Sequence, residues 1–402
     1  MERYWKRNLY MLWISLFFNH MAFTLSVPFF SVFLQHDLGI QSWLEVWSGI
    51  SISISFLISG LCAPFWGALA DKYGRKPNLI RSGIGLSLAH FANYFVGDPF
   101  TFILVRIFQG LMAGFSPASI ALVGTNTPEK HVGYALGVIS TSSAAGGIIG
   151  PLVGGALSHW LGLRACFLAS GAITLLCVLI VLVGVKEVHN RQEGARLSVV
   201  KDLRYAAGNR QLMRIFLLSL IVTTSVMTLE PLLTIYVAHL GETPANAALS
   251  SGIVFSAVGV ATVIMGPRWG IIGGRVGYEK ILIVGLLGGG IGNLLQLVVH
   301  HLVGFGILRF SYGLFFAAVY PALNALIVKY AESDFRGRAV SLNQSASQFG
   351  IVMGPLLGGV IGGWLGIEAV FLLTGITLLG AAFIMKKEQS SAKGKQSLHE
   401  YR

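Results

Sequence analysis

Charged residues are scarce in this sequence. They make up 11% of its 402 positions, where a soluble domain carries about 25%. Cysteine is rarer still: Cys62, Cys166 and Cys177 are the only three, and all lie within long apolar runs. That excludes a disulfide framework and any cysteine-based metal spacing. No G-x-x-x-x-G-K-[ST] loop occurs, which argues against an ATP-driven pump. Clustered acids and histidines are also missing. The only histidine pair, His300 and His301, has no acid beside it, which weighs against a membrane acyl- or glycosyltransferase. Neither a metal nor a cofactor is expected, and the chain is not expected to be an enzyme. Of the 17 acidic residues, Glu230 alone lies well inside an apolar run.

Apolar residues take the place of charge. They make up 54% of the chain, and the mean hydropathy is +0.70. A twenty-residue window gives twelve spans, at 8–34, 45–70, 79–97, 100–124, 132–158, 164–185, 212–239, 248–272, 279–299, 302–328, 338–363 and 367–385. The basic start and the run after it could pass for a signal peptide. The run is too long and lacks a small-residue cleavage site, so it reads as an uncleaved span 1.

The net charge of +12 does not point to nucleic acid. The basic residues gather on alternate loops, at Lys72, Arg75, Lys76 and Arg81 after span 2, and at Arg268, Arg275 and Lys280 after span 8. They also crowd the stretch between spans 6 and 7. The opposite loops carry little more than Arg164. The positive-inside rule then places both termini in the cytoplasm of a multi-pass protein of a bacterial cell membrane. The polar, lysine-rich tail after about 386 is expected to be disordered. Within the linker, the stretch from about 195 to 207 is a candidate amphipathic surface helix.

The chain repeats itself. Gly146, Gly150, Pro151, Gly154 and Gly155 recur 204 residues on as Gly350, Gly354, Pro355, Gly358 and Gly359, both fitting G-x-x-x-G-P-x-x-G-G. Glycines four apart share one helix face and let another backbone approach closely. The proline removes a backbone donor and bends the helix. Trp160-Leu-Gly162 returns as Trp364-Leu-Gly366, and Arg106 returns 203 residues on as Arg309. Pro117 and Pro321 should kink spans 4 and 10. The motifs read either as a packing face or as the contact by which two bundles move.

Several polar residues sit at depth. Span 1 carries Asn19, His20, Thr24 and Pro28; span 11 carries Asn343 and Gln344. Intramembrane polar groups usually face the bundle interior or a wet cavity. His20 is either a packing histidine or part of such a cavity, and Arg106 either bonds a neighbour's carbonyls or belongs to a substrate and proton site. In a medium of low dielectric, a carboxylic acid holds its proton into the neutral range, so Glu230 is either a proton carrier or a static partner.

The stretch Gly67, Asp71, Lys72, Gly74, Arg75, Lys76 matches G-x-L-A-D-[RK]-x-G-R-[RK] between spans 2 and 3. With the R-x-x-Q-G pattern at Arg106 and the glycine–proline motif, it resembles the major facilitator superfamily over essentially the whole chain. Within that family the chain is similar to the drug:proton antiporter branch and its MdtG-type multidrug resistance proteins, in which the glycine–proline motif marks antiporters. Trp47-Ser-Gly-Ile-Ser and Asn343-Gln-Ser add to the likeness.

The resemblance implies an all-α membrane protein of twelve transmembrane helices in two pseudo-symmetric six-helix bundles, 1–185 and 212–386, with a linker at 186–211 and a tail at 387–402. Parallel repeats about an axis along the membrane normal are the plan of that fold. Asp71 would then cap the start of span 11, beside Arg336 and Arg338, and latch the cytoplasmic side. Spans 1, 4, 7 and 10 would line the cavity. At about 1.5 Å per residue, Arg106 and Arg309 would lie roughly 9–11 Å from the outer edge and Glu230 about 14 Å. The implied activity is proton-coupled efflux of lipophilic drug-like molecules by a monomer, with protons, a small-molecule substrate and the lipid bilayer as partners.

An aromatic set (Phe17, Phe18, Tyr236, Tyr312, Phe315, Phe316, Tyr320) beside one acid suits lipophilic cations and neutral drugs. Two arginines would instead suit an organic anion, and a nutrient facilitator or symporter remains the alternative. Three departures from the family pattern stand out. Ser31 follows Pro28 where a second proline is usual. Gly274 takes the place of the motif aspartate in the second half. Glu230 is not a feature of the group as a whole.

Overall fold

The computed structural model describes residues 4–128, 131–187, 199–241, 244–332 and 335–400. The side chains of Asp71, Arg336 and the stretch from 388, among others, lie outside the described residues. Among the described residues every regular element is a helix. Span 1 comprises Trp5–Ser26, a 3-10 turn Val27–Phe29 and Phe30–His36; span 2 is Leu44–Tyr73, span 3 Arg75–Phe95 and span 4 Pro99–Met112 with Phe115–Asn126. Spans 5 and 6 are Val132–Leu161 and Leu163–Gly184. A connecting helix, Val199–Gly208, falls where the linker was expected to form one. Span 7 is Arg210–Leu229, Glu230–Leu232 and Leu233–His239; span 8 is Pro244–Val276 and span 9 Tyr278–Leu295 with Gln296–Val298. Spans 10 to 12 are Leu302–Phe316 with Val319–Tyr330, Arg336–Leu365 and Ile367–Glu400.

Eleven of these twelve are long and apolar enough to cross a bilayer. Span 3 is the exception, although it has the length, at 21 residues. Its hydropathy is lowered by Asn78, Arg81, Ser82, Ser87, His90 and Asn93. The last helix continues to Glu400, through the tail expected to be disordered. The Lys, Gln, Ala and Glu in that stretch are good helix formers, so local propensity extends the helix beyond its apolar part.

Proline sets the breaks. A proline ring clashes with the carbonyl four residues before it. Span 4 breaks at Ala113–Gly114 ahead of Pro117, and span 10 at Ala317–Ala318 ahead of Pro321. Pro28 and Pro231 each sit in the middle of a three-residue 3-10 turn. Pro151 and Pro355, by contrast, lie within unbroken helices of 30 residues. The duplication reaches the backbone: Gly162 and Gly366, which end spans 5 and 11, have φ of +84° and +85°.

The chain divides into two compact units, Met1–Ala195 with Pro231–Ser256, and Arg196–Glu230 with Ala257–Arg402. In the first, Leu9, Leu12 and Leu16 pack with Leu79, Phe115, Leu122 and Val181. Its Pro231–Ser256 segment is tied in by Thr234, whose hydroxyl donates to the Pro28 carbonyl at 2.5 Å. In the second, Leu212, Ile215 and Val222 pack with Leu282, Leu286, Leu323 and Leu326. Large apolar side chains also face outward, among them Val183, Phe95, Trp160 and Trp364, all more than 70% exposed. In a membrane protein that surface meets lipid, and tryptophan favours its interfaces.

Candidate functional site

The glycine motifs seat one helix on another within each unit. A Cβ at Gly146 would meet the Phe17 carbonyl at 2.6 Å, one at Gly150 the Thr24 hydroxyl at 2.0 Å, and one at Gly154 the Leu25 carbonyl at 2.1 Å. All three press span 5 on span 1. The second copy does the same to span 7: Gly350 faces Thr223, Gly354 faces Met227 at 2.5 Å and Gly358 faces the Thr228 carbonyl at 2.1 Å. Thr24 also donates to the Gly146 carbonyl at 3.1 Å. Gly155 points elsewhere, to Ala248 and Leu249 of span 8. Pro151 and Pro355 are buried, as is Gly359.

The turn after span 2 is held by a residue the sequence reading passed over. Glu187, just beyond span 6, accepts the backbone N–H of Arg75 at 2.8 Å and of Lys76 at 2.9 Å. A carboxylate at a helix N-terminus satisfies free donors and meets the positive end of the helix dipole. Gly74 makes room for it. Its φ is +103°, and a Cβ there would stand 2.9 Å from Glu187 Oε2. The Arg75 guanidinium donates to the Ala121 carbonyl and Thr125 hydroxyl, both at 2.6 Å. Lys76 Nζ donates to the Leu182 and Val185 carbonyls. Gly67 has open space around it. The Asp71 side chain, and with it the expected cap on span 11, lies outside the described residues.

The two repeat-related arginines differ. Arg106 is fully buried. Its Nε donates to the Ser51 carbonyl at 2.8 Å, its Nη1 bonds the Gln109 side chain, and its guanidinium lies 4.6 Å from the Phe30 ring. Arg309 has an unpartnered Nε and stands 5.2 Å from the Tyr312 ring. It also interacts electrostatically with Glu230 in the same unit. Glu230 is half-buried at the 3-10 turn of span 7. Tyr312 stacks on Phe316 at 5.0 Å, and Phe316 meets Tyr320 edge-on at 6.0 Å. Phe315 packs instead against Gly288 of span 9.

His20 Nε2 lies 3.3 Å from the Ser116 hydroxyl, joining spans 1 and 4. Asn19 is half-buried, Asn343 is buried with an unpartnered Oδ1, and Gln344 is exposed. Glu230 and Arg309 therefore share one unit, as do His20 and the Arg106 group in the other. A cavity of about 390 Å³ lined by Gln35, His36, Glu45 and His239 contains none of the expected site residues.

A duplicated twelve-helix body with buried charges on matching helices defines a membrane carrier. The sequence profile of the Major Facilitator Superfamily matches residues 12–273 and 246–400. Multidrug resistance protein MdtG of Escherichia fergusonii is 36% identical over 382 residues, covering 93% of this chain and 92% of that protein. MdtG of Escherichia coli K12 is 35% identical, covering 94% of each. The fold is similar to an occupied inward-facing bacterial homologue of the human lysosomal transporter Spinster, with a TM-score of 0.79 at 16% identity over 94% of this chain and 96% of that one. It is also similar to the nucleoside transporter NupG, with a TM-score of 0.78 at 13% identity over 94% of this chain and 98% of that one. The chain belongs to the major facilitator superfamily. It is a multi-pass secondary transporter of MdtG type, and not an enzyme.

Proposed function

We propose that this chain exports lipophilic, drug-like molecules in exchange for protons by alternating access, as a monomer with both termini in the cytoplasm. One observation carries the coupling: the single deep carboxylate, Glu230, interacts with Arg309 beside Tyr312, Phe316 and Tyr320. A proton taken up from outside neutralises Glu230 and loosens its hold on Arg309. Substrate arriving from the cytoplasm favours the charged acid and releases the proton inward. An aromatic wall beside one acid suits lipophilic cations and neutral drugs, and the MdtG relatives are named for multidrug resistance. The glycine rows lock span 5 to span 1 and span 11 to span 7, so each pair travels as one body.

The test is export of a cationic dye from proteoliposomes under an imposed proton gradient, with internal pH recorded. Wild type should move dye and protons in opposite directions. Glu230→Gln should lose gradient-driven export while still binding dye. Normal export by Glu230→Gln with normal proton movement would falsify the proton role.

A further inference from the structure

The cavity of about 390 Å³ that none of the expected site residues reaches is built from both copies of the repeat. His36 ends span 1 and His239 ends the matching span 7, 203 residues on, and both line the void. Val32 and Ile235 keep the same offset, as do Gln35 and Ala238, and these four line it as well. The start of span 2 adds Gln41, Leu44 and Glu45, and span 8 adds Ala247. All of these residues lie within the first compact unit.

The charge inside is one-sided. Glu45 is the cavity's only acid, and no lysine or arginine lines it. The position matching Glu45 in the second copy is Ala248. Asp37, in the turn between spans 1 and 2, is paired with Arg164 at 3.1 Å. Among the described residues the half-buried Glu45 carboxylate has no ion-pair partner. The side chains of Gln35, His36, Gln41 and His239 likewise have no hydrogen-bond partner there. A carboxylate in a recess concentrates cations, and amide oxygens and imidazole nitrogens accept hydrogen bonds. The walls therefore offer acceptors to an N–H donor, while Val32, Leu44 and Ile235 offer apolar contact. The turn that presents Gln41 and Glu45 is also strained. Trp43, between them, is the one non-glycine among the described residues with positive φ, at +59°. For a bulky side chain that is an outlier, of the kind that gathers at ligand sites.

We propose that this cavity binds a protonated amine with a small apolar body, its N–H groups on the Glu45 carboxylate and the Gln35 and Gln41 amide oxygens. The volume falls within the range of about 300–1,000 Å³ usual for small-molecule pockets. A bare metal ion is a poorer match, since no group of three or more His, Cys, Asp and Glu among the described residues is placed to hold one. The site is separate from the Glu230 group, and its occupancy does not depend on the direction of transport.

The test is calorimetric binding of 2-phenylethylammonium to the full-length protein in nanodiscs at fixed ionic strength, with empty nanodiscs as the blank. The Glu230→Gln background removes any contribution from the deep acid. Saturable binding is expected in that background, and adding Glu45→Gln should weaken it about tenfold, as loss of one charge-assisted hydrogen bond does. The uncharged analogue 2-phenylethanol should bind weakly and be indifferent to Glu45→Gln. Absence of saturable binding overturns the proposal, as does an affinity that Glu45→Gln leaves unchanged. Should those variants fail to fold, the exposed position 41 serves instead. In Gln41→Cys the amine should slow maleimide labelling, with wild type as the blank for Cys62, and no protection overturns the proposal. Glu45-dependent binding in a chain that fails to export supports the site and counts against the transport reading alone. Intact export with binding indifferent to Glu45→Gln overturns the site alone.

Discussion

The two halves of this chain began with the same parts and use them differently. Arg106 and Arg309 occupy matching places on spans 4 and 10, beside matching polar pairs on spans 3 and 9. In the first half the arginine is tied to a neighbour's carbonyl and a glutamine and is sealed from solvent. In the second it keeps a free Nε and interacts with Glu230. The asymmetry traces to one position. Glu230 precedes Pro231, and its counterpart before Pro28 is Val27. Where the acid is present, the arginine has an acidic neighbour; where valine stands, the arginine is held by the Ser51 carbonyl and Gln109, and no carboxylate acts on it among the described residues.

That contrast is most directly broken at the arginines. Arg106→Ala removes a fully buried side chain and leaves the Ser51 carbonyl and Gln109 without their donor. The expected cost is about 3–5 kcal/mol, seen as a large fall in Tm in detergent. Arg309→Ala should lower Tm far less and act mainly on dye export. Equal losses of stability from the two substitutions would erase the distinction.

The glycine rows should behave alike in both halves. Gly150→Ala and Gly354→Ala put a Cβ within 2.0 Å of Thr24 and 2.5 Å of Met227, which should cost about 1–3 kcal/mol each. Gly147→Ala is the control, since nothing lies within 4 Å of its Cβ. A neutral Gly150→Ala beside a disruptive Gly354→Ala would show that the repeat is only formal at this contact.

Glu187 sharpens the comparison at the turns that follow spans 2 and 8. Glu187→Ala leaves two helix N-terminal donors without their cap and should cost about 1 kcal/mol, read by thermal unfolding and by faster amide exchange at Arg75 and Lys76. The matching turn at Gly277 has φ of +99°. In that half Glu279 instead pairs with Lys329 at 2.5 Å and accepts from Tyr330 at 2.8 Å. Glu279→Ala should therefore act through Lys329 and Tyr330.

The smallest effect belongs to Asp98, which caps span 4. Its carboxylate accepts the Thr101 hydroxyl and backbone N–H, and these bonds hold its acid below the usual carboxylate range. A group held low in the folded state stabilises it above the unfolded value, near about 4, and loses that contribution as pH falls through the folded value. The protection of the Thr101 amide relative to its intrinsic exchange rate should fall on acidification in wild type, and should already be low at neutral pH in Asp98→Ala.

Much of this was readable in the residues. Hydropathy placed twelve spans, and internal repetition paired the motifs and the arginines. Composition singled out Glu230. The proline rule located the breaks in spans 4 and 10. Other features were hidden for physical reasons. A small-residue row defines a face but not its partner, so the sequence could not say that spans 1 and 7 fill those faces. Glu187 follows span 6 directly and looks like ordinary linker charge. His90 and Asn93 register in a hydropathy window only as a weaker span, yet the 203-residue offset that pairs the arginines also pairs them with Asn293 and Gln296.

Span 3 bears on how the protein is made. A helix carrying Ser82, Ser87, His90 and Asn93 partitions poorly into lipid by itself, because each polar group must forgo water before a protein partner is at hand. In the finished molecule Ser82 donates to the Met112 carbonyl and Ser87 to the Gly171 carbonyl, at 2.8 Å each. Both partners are synthesised later than span 3. During biogenesis this helix must therefore wait, sheltered at the insertion machinery or by its neighbours, until spans 4 and 6 arrive to receive it.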